Sequence, residues 1–410
     1  MSDFTIDPTQ LLHGSPSDPV LIKLLGDLLG QSESFILHGE YTLIMNEKPV
    51  TVDLTHPLLK RTKEKKSETS RIEVLEQKKC SSGGFSKLFK SLGVLIPEQN
   101  YLFKSKPPEH SRVCKVISLT EKFTQAMVIR ESSYTKMNTL LHCKTPVFDK
   151  THGYLVMRNA GTSDLYELLN NSALSTLQKM QLTFAILEAI KNQVHELGLI
   201  HSDIKPENIM VDPDNMGVRI IDYAFAYEAE LPRISSISGS LEFLAPETLY
   251  DNIKTQKSDS FAAGLSIAEL WGDQSTFPIT RDQSFQDVYE FHLTRTWKNL
   301  FVNDSLNDNM KKKIIKILDD LTRIDPDTRS SIDDALNEWE IILKDYIEED
   351  AQQDTSPTPH QQRSPIHSTN KNLFFHVPHA PENSIDSDSE EHLQLCVSEC
   401  SYRTWRSKTV

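Results

Sequence analysis

His201-Ser202-Asp203-Ile204-Lys205-Pro206-Glu207-Asn208-Ile209-Met210 is the stretch that decides the fold of this 410-residue chain. Upstream, Leu177, Met180, Phe184, Leu187, Ile190, Val194 and Leu197 keep a 3.6-residue period, and Gly198 follows as a helix stop. Downstream, Ile220-Ile221-Asp222-Tyr223-Ala224 sets a second acid beside a short apolar run, 14 residues after Asn208. Two apolar stretches, each next to an acid and with an Asn and a Lys between, can converge on one loop-built site. That set suits phosphoryl transfer. One carboxylate orients a hydroxyl and accepts its proton, a lysine steadies the transferring phosphoryl group, and an Asn and a second Asp hold a divalent metal against the phosphates.

At these residues the sequence resembles the eukaryotic protein kinase superfamily. Residues 201–208 look like the catalytic loop H-R-D-x-K-x-x-N, and Asp222-Tyr223-Ala224 looks like the D-F-G motif. The resemblance implies Asp203 as catalytic base, Lys205 at the γ-phosphate, and Asn208 and Asp222 as magnesium ligands. Ala245-Pro246-Glu247 resembles A-P-E. Asp259-Ser260-Phe261-Ala262-Ala263-Gly264 resembles the opening of the central large-lobe helix. Asp325-Pro326-Asp327-Thr328-Arg329 resembles the late segment whose arginine pairs with the A-P-E glutamate, so Glu247 and Arg329 are expected as a buried ion pair. The implied fold is α+β and bilobal: a small β-rich N-lobe with one helix, and a larger, mainly α C-lobe.

The nucleotide half follows from the same resemblance. Val113-Cys114-Lys115 looks like the end of V-A-I-K, so Lys115 should meet the α- and β-phosphates of ATP. Its glutamate partner is expected at Glu131, in a segment that also resembles the equivalent helix of casein-kinase-1-like proteins; Glu121 is the alternative, because the helix start is open. Cys80 to Leu88 can be laid on the glycine-rich loop, with Gly83 and Phe85 in frame, Gly84 extra, Leu88 for the usual Val and Ser81 among the serines that replace glycines. Backbone amides cradle phosphates whatever the side chain. The long spacing to Lys115 implies an inserted loop between Pro97 and His110. Tyr154 to Gly161 looks like the last small-lobe strand running into the hinge, with Met157 as gatekeeper and the backbone of Arg158 and Ala160 on adenine. Asp164 fits two roles, a ribose contact or the N-cap of the helix that follows.

Three departures matter. Ser202 replaces the arginine that reads an activation-loop phosphate in the family, so activity independent of that phosphate is expected. Ala224 replaces a glycine whose freedom permits the motif to flip, which biases Asp222 toward the metal. Gly239-Ser240 stands where serine/threonine kinases show Gly-Thr, so Ser/Thr acceptors are favoured, the chain itself among them through autophosphorylation. Ser235, Ser236 and Ser238 are candidate phosphosites. Competing readings are a pseudokinase serving as a nucleotide-binding scaffold, motivated by the degenerate glycine loop, Ser202 and Ala224, and a kinase-fold enzyme acting on small molecules, which the A-P-E match disfavours.

Composition sets the rest. Lys and Arg number 44 against 58 Asp and Glu, so the chain is acidic, at −14, and nucleic acid is not expected as its main ligand. Five cysteines without CxxC spacing suit a reducing, cytoplasmic setting, and no run of 18 apolar residues suggests a membrane span. Residues 1–70 read as an N-terminal extension, with a helix candidate at Val20–Leu29 and a hairpin candidate at Tyr41–Met45 and Val50–Leu54. The run Lys60-Arg61-Thr62-Lys63-Glu64-Lys65-Lys66 reads as a solvated linker or, less simply, as an import or phosphate-contacting patch. The kinase domain is expected over 71–347, split into lobes at 160/161. Residues 348–410, rich in Ser-Pro and acidic serine clusters, read as a disordered tail. Its acidic cluster also resembles translocation signals of bacterial effectors injected into host cells, the alternative localisation.

Overall fold

Asp7 and Asp18 each accept a backbone N–H two residues on, and each is followed by proline in the first helical position. That combination satisfies orphan amides and presets φ, and it starts α1 (Pro8–Leu12) and α2 (Pro19–Gln31) just after the short strand β1 (Phe4–Ile6). The computed structural model describes residues 3–354 apart from 14–17, 33, 62–69, 83–85, 98–102, 107–109, 122, 231–237 and 276–283. After β2 (Phe35–Ile36), the expected hairpin forms as β3 (Gly39–Met45) and β4 (Lys48–Leu54). Asn46 and Glu47 both take positive φ at its tip, as a two-residue hairpin matching strand twist requires.

The boundary expected at residue 70 is not a break in the structure. β5 (Leu58–Arg61) pairs with β6 (Arg71–Leu75). Leu24, Leu25, Leu28, Leu43, Val52 and Leu58 share one apolar core with Ile72, Val74 and Leu95. β2 and β5 therefore belong to the small-lobe sheet, while β1, β4 and β3 form a separate three-stranded sheet that shares its apolar core. Of the basic run, Lys60 and Arg61 lie in β5. Lys60 donates to the carbonyls of Leu29 (2.7 Å) and Ser32 (2.5 Å), closing the end of α2. Residues 62–66 lie outside the described residues.

The sheet continues through β7 (Ser81–Ser82), β8 (Ser86–Pro97), β9 (Phe103–Lys106) and β10 (Arg112–Ser118). The helix α3 (Gln125–Met137) follows, then β11 (Val147–Phe148) and β12 (His152–Arg158). The main strand order is β11-β12-β10-β8-β6-β5-β2, with β7 and β9 also on β8. Where an inserted loop was expected after Pro97, β9 pairs back on β8, Leu95 opposite Ser105. Register sets Lys115 opposite Leu88 on one side and Leu155 on the other.

The large lobe opens with β13 (Ser163–Asp164), α4 (Leu165–Asn171) and α5 (Thr176–Ile190). Next come β14 (Leu199–Ile200), β15 (Ile209–Asp212), β16 (Gly217–Ile220), β17 (Tyr227–Glu228) and α6 (Pro246–Asp251). The central helix α7 (Gln256–Leu270) precedes α8 (Phe285–Thr294), α9 (Asp308–Leu321) and α10 (Ile332–Asp354). α7 is buried almost all round, as a helix at the centre of a lobe must be. A Cβ on its Gly264 would come within 2.6 Å of Thr322 and 2.9 Å of Leu321, so glycine lets this helix approach the end of α9. α10, anchored by Trp339, Ile342 and Leu343 in the core, runs on past residue 347 to Asp354. Extending a formed helix adds a hydrogen bond for each residue fixed, so residues 348–354 are helical where a disordered tail was expected. Residues 355–410 lie outside the described residues. Among the described residues no helix is long and apolar enough to cross a membrane.

Glu247 and Arg329 meet as expected. The guanidinium donates to both carboxylate oxygens at 2.8 and 2.9 Å, with Arg329 1% and Glu247 7% exposed. Arg329→Met strands that carboxylate and is expected to cost about 3–5 kcal/mol, read as a lower urea midpoint. A midpoint equal to the parent's would contradict a structural role for the pair.

Candidate active site

The loop 201–208 is positioned by α7. The buried Asp259 accepts the backbone N–H of His201 at 2.7 Å and of Ser202 at 2.9 Å, one on each carboxylate oxygen. The His201 ring nitrogen Nε2 sits 3.0 Å from the Ile221 carbonyl, and the Ile221 amide donates to the Asn208 carbonyl at 3.0 Å. With the β15–β16 hairpin, these bonds bring residues 203, 208 and 222 to one place. Ser202 holds φ +67° and Asp222 φ +66°, a left-handed conformation rare outside glycine. Such strain persists only where surroundings over-determine it; here the Asp259 bonds and the hairpin do so.

Asp203 is 7% exposed, and its carboxylate accepts the Ser240 amide at 2.7 Å and Asn208 Nδ2 at 2.9 Å. Asn208 Nδ2 also donates to the Asp203 carbonyl at 2.8 Å. Lys205 Nζ lies 3.6 Å from the Asp203 carboxylate and donates to Ser240 Oγ at 2.6 Å. The hydroxyl of Ser240 thus meets Lys205, and it is the amide that meets the aspartate. Gly239, at φ +116°, lets this segment approach: a Cβ there would lie 2.5 Å from the Ser202 carbonyl.

Lys115 Nζ donates to Glu131 Oε1 and Asp222 Oδ1, both at 2.7 Å. The alternative Glu121 makes no ion pair among the described residues. Burial works against the Lys115 ammonium, but Asp222 and Glu131 outweigh it and hold its pKa above the usual lysine value. Burial raises the Glu131 carboxyl. Burial also opposes the Asp222 carboxylate, whose side chain is 37% exposed, yet Lys115 keeps its pKa below the ordinary one. The Tyr223 hydroxyl donates to the Gln193 carbonyl at 2.8 Å and accepts from Asn138 Nδ2 at 3.1 Å. Gln193 lies in a short π-helical turn, Lys191–His195, after α5, and Asn138 caps α3. One phenol therefore ties the small-lobe helix to the turn that carries Asp222, a link that phenylalanine lacks.

In the segment expected to face adenine, Met157 and Arg158 end β12. The Arg158 amide donates to the Leu141 carbonyl at 2.7 Å, so of its backbone groups the carbonyl is the one suited to face a base. Ala160 is buried, and its carbonyl accepts Arg219 Nη1 at 2.5 Å. Asp164 is the N-cap of α4, accepting the Glu167 amide at 2.8 Å. Ser81 lies in β7 and Leu88 in β8, facing Lys115, while Gly83, Gly84 and Phe85 fall outside the described residues. Asn208 and Asp222 fit a magnesium ion by donor chemistry. Both offer hard oxygen, and the Asn208 amide nitrogen is committed to Asp203, which leaves its oxygen for a cation. Among the described residues no group of three His, Cys, Asp or Glu side chains could hold a metal.

Two features escape motif reading. Lys254, 4% exposed, donates to the carbonyl (2.9 Å) and hydroxyl (2.6 Å) of Ser238 and lies 5.1 Å over the Tyr227 ring. It fixes the segment next to Ser240 without the arginine that Ser202 replaces. A cavity of about 20 Å³ lies between Ser202, Lys254 and Asp259. Ser235 and Ser236 lie outside the described residues. Beside the loop 201–208 a larger cavity of about 540 Å³ is lined by Tyr166, Glu207, Glu242, Glu269 and Phe291, among others. Burial, then the facing Glu207 and Glu242, push Glu269 up to about 7.

Burial pulls the Lys254 amine down to about 8 despite Asp259 and Asp203 nearby. Between about pH 8 and the ordinary lysine value near 10.4, the unfolded chain binds more protons than the fold, so this group adds stability as pH rises. Lys254→Met should remove that rise. Urea midpoints of parent and variant are expected to diverge from pH 8 to 10, in the parent's favour; parallel curves would contradict a buried, proton-shedding Lys254.

A family model for the protein kinase domain matches residues 98–339. The chain is 24% identical over 223 residues to ribosomal protein S6 kinase 2 alpha of Gallus gallus, covering 53% of this chain and 28% of that protein. It is 25% identical over 210 residues to developmentally-regulated protein kinase 1 of Dictyostelium discoideum, with 49% and 28% covered. A DNA damage response protein kinase of Saccharomyces cerevisiae is 26% identical over 210 residues, with 45% and 39% covered. The matches thus span well under half the length of each of these relatives. The family model takes in more than half of the chain, including Lys115, Glu131, Asp203 and Asp222, and the chain belongs to the protein kinase domain family.

Proposed function

We propose that the chain is a serine/threonine protein kinase that transfers the γ-phosphate of ATP to protein hydroxyls. The observation that carries this is the three-group contact in which one lysine, Lys115, bridges a small-lobe glutamate and the aspartate of the large-lobe loop at 2.7 Å each. It joins both lobes at the point where a nucleotide's phosphates would lie, with Asp203, Lys205 and Asn208 gathered in the loop that pairs with the Asp222 segment.

In this reading Lys115 takes the α- and β-phosphates and Glu131 orients it. The acceptor oxygen attacks the γ-phosphorus as the bond to the β–γ bridging oxygen breaks and ADP leaves. Asp203 orients the attacking hydroxyl and receives its proton. Lys205 faces the charge on the transferring group, and its contact with Ser240 Oγ couples that position to the acceptor-side segment. Asn208 and Asp222 would hold magnesium, which when bound neutralises charge on the β- and γ-phosphates. Ser/Thr acceptors are supported by Ser240 and by two relatives, from Drosophila persimilis and Drosophila pseudoobscura pseudoobscura, that are named serine/threonine-protein kinases. Lys254 holding Ser238 supports activity without activation-loop phosphorylation.

The test is transfer of labelled γ-phosphate from MgATP to a generic protein acceptor or to the chain itself. Asp203→Asn is expected to lower kcat by about 10²–10⁴-fold, with label on serine and threonine. Equal turnover by parent and variant would overturn the role of Asp203. Nucleotide binding without turnover in the parent would favour the pseudokinase scaffold, and label on tyrosine would overturn the acceptor assignment.

A further inference from the structure

The face of the small-lobe sheet turned away from Lys115 carries more positive charge than the described residues neutralise. Lys115 and Arg112 are three residues apart in β10, and strand alternation sends their side chains to opposite faces. On the Arg112 face, Arg112 stands directly opposite Arg158 across the β10–β12 pair, and Arg61 directly opposite Arg71 across the β5–β6 pair. Directly opposed like charges destabilise a sheet, and here the arrangement occurs twice. Lys144 joins them: its amide bonds the Val156 carbonyl at 2.8 Å, beside β12. Burial, then Arg61, Arg112 and Arg71, pull its ammonium below the usual lysine value.

Among the described residues one carboxylate, Glu73, reaches two members of the group. Glu73, fully buried, binds Arg61 Nη2 with one oxygen, and its other oxygen accepts the Ser91 hydroxyl at 2.6 Å. Arg112 Nη2 comes within 3.2 Å of that second oxygen without hydrogen-bond alignment. Nε of Arg61, a residue only 9% exposed, and Nε and Nη2 of Arg112 are buried without hydrogen-bond partners. Among the described residues no carboxylate lies within ion-pair reach of Arg71, Lys144 or Arg158. Buried donors left unpaired are costly, and three of them lie in this cluster.

We propose that this face binds a phosphate monoester dianion. Four of the five cations are arginines, whose planar forks match phosphate oxygens bidentately. A phosphate monoester brings close to two charges in one group, against one for a carboxylate. The recessed guanidinium of Arg61 calls for a protruding phosphate, on a side chain or a small molecule, rather than for a flat charged surface. The nucleotide's own phosphates are ruled out as occupant, since Lys115 lies on the other face. The site does not depend on catalysis.

Phosphate binding is tested on the full chain, with the nucleotide site saturated by MgADP. Probes are inorganic phosphate, a neutral-sequence phosphoserine peptide, its unphosphorylated form and its Glu-for-phosphoserine form. Arg71→Gln with Lys144→Gln is the variant, because neither residue carries an ion pair that holds the fold. The parent is expected to gain thermal stability from phosphate or phosphopeptide. The variant is expected to lose that shift and, in phosphate-free buffer, to be at least as heat-stable as the parent. A tighter phosphopeptide than free phosphate identifies a modified protein as the source, and the reverse order a small phosphate compound. No shift from either probe, an equal shift in the variant, or equal binding of the Glu peptide would overturn the proposal.

Discussion

A lysine ammonium taken out of water has to be compensated by nearby charge, and the two lobes of this molecule meet around the compensation found for Lys115. Burial alone would drive its proton off. Two carboxylates from opposite lobes, Glu131 on α3 and Asp222 after β16, reverse that and keep it charged. Both carboxylates meet the same ammonium at 2.7 Å. The contact therefore fixes the helix, the strand and the loop against one another. The Tyr223 hydroxyl adds a second tie from the same turn, to Asn138 at the end of α3 and to Gln193 in the π-helical turn. A π-helical turn at a functional site is a recurrent device, and here it turns a backbone carbonyl toward that phenol.

The second constraint is the buried α7. Asp259 on that helix accepts the amides of two consecutive residues before Asp203, one of them in a left-handed conformation. The Asp203 carboxylate is aimed by backbone held from the core, and its two accepted hydrogen bonds keep it in place. Lys254 and Gly239 do comparable work at residues 238–240: the first holds Ser238, and the second lets the chain pass close to the Ser202 carbonyl. A chain lacking an arginine at 202 still has an ordered segment at 238–240, because a different cation reaches it from after α6.

The parts of the site legible in sequence are those whose partners sit close along the chain. Asp203, Lys205 and Asn208 share one loop, and Asp222 follows through a single hairpin, so spacing alone brings them together. Lys115 and Glu131 are joined by one strand-to-helix connection. The Glu247–Arg329 pair was legible only through motif likeness, since 82 positions separate its members. Lys254, Asp259 as a backbone clamp, and the Asn138–Gln193–Tyr223 bonds belong to no short pattern; each depends on tertiary approach. The joining of the described residues before 71 to the small lobe escapes the sequence for a related reason. The helix and hairpin show local periodicity, but the pairing of β5 with β6 depends on two strands of four and five residues that carry little signal of their own.

The central claim is that Lys115 and Asp222 form a phosphate and metal site reached from both lobes. Calorimetric titration of ADP into the chain, with and without magnesium, and into Asp222→Asn under the same two conditions, tests it most directly. Magnesium should tighten ADP binding to the parent and have no such effect on the variant. Binding that ignores magnesium in the parent, or an unchanged magnesium effect in the variant, would contradict it.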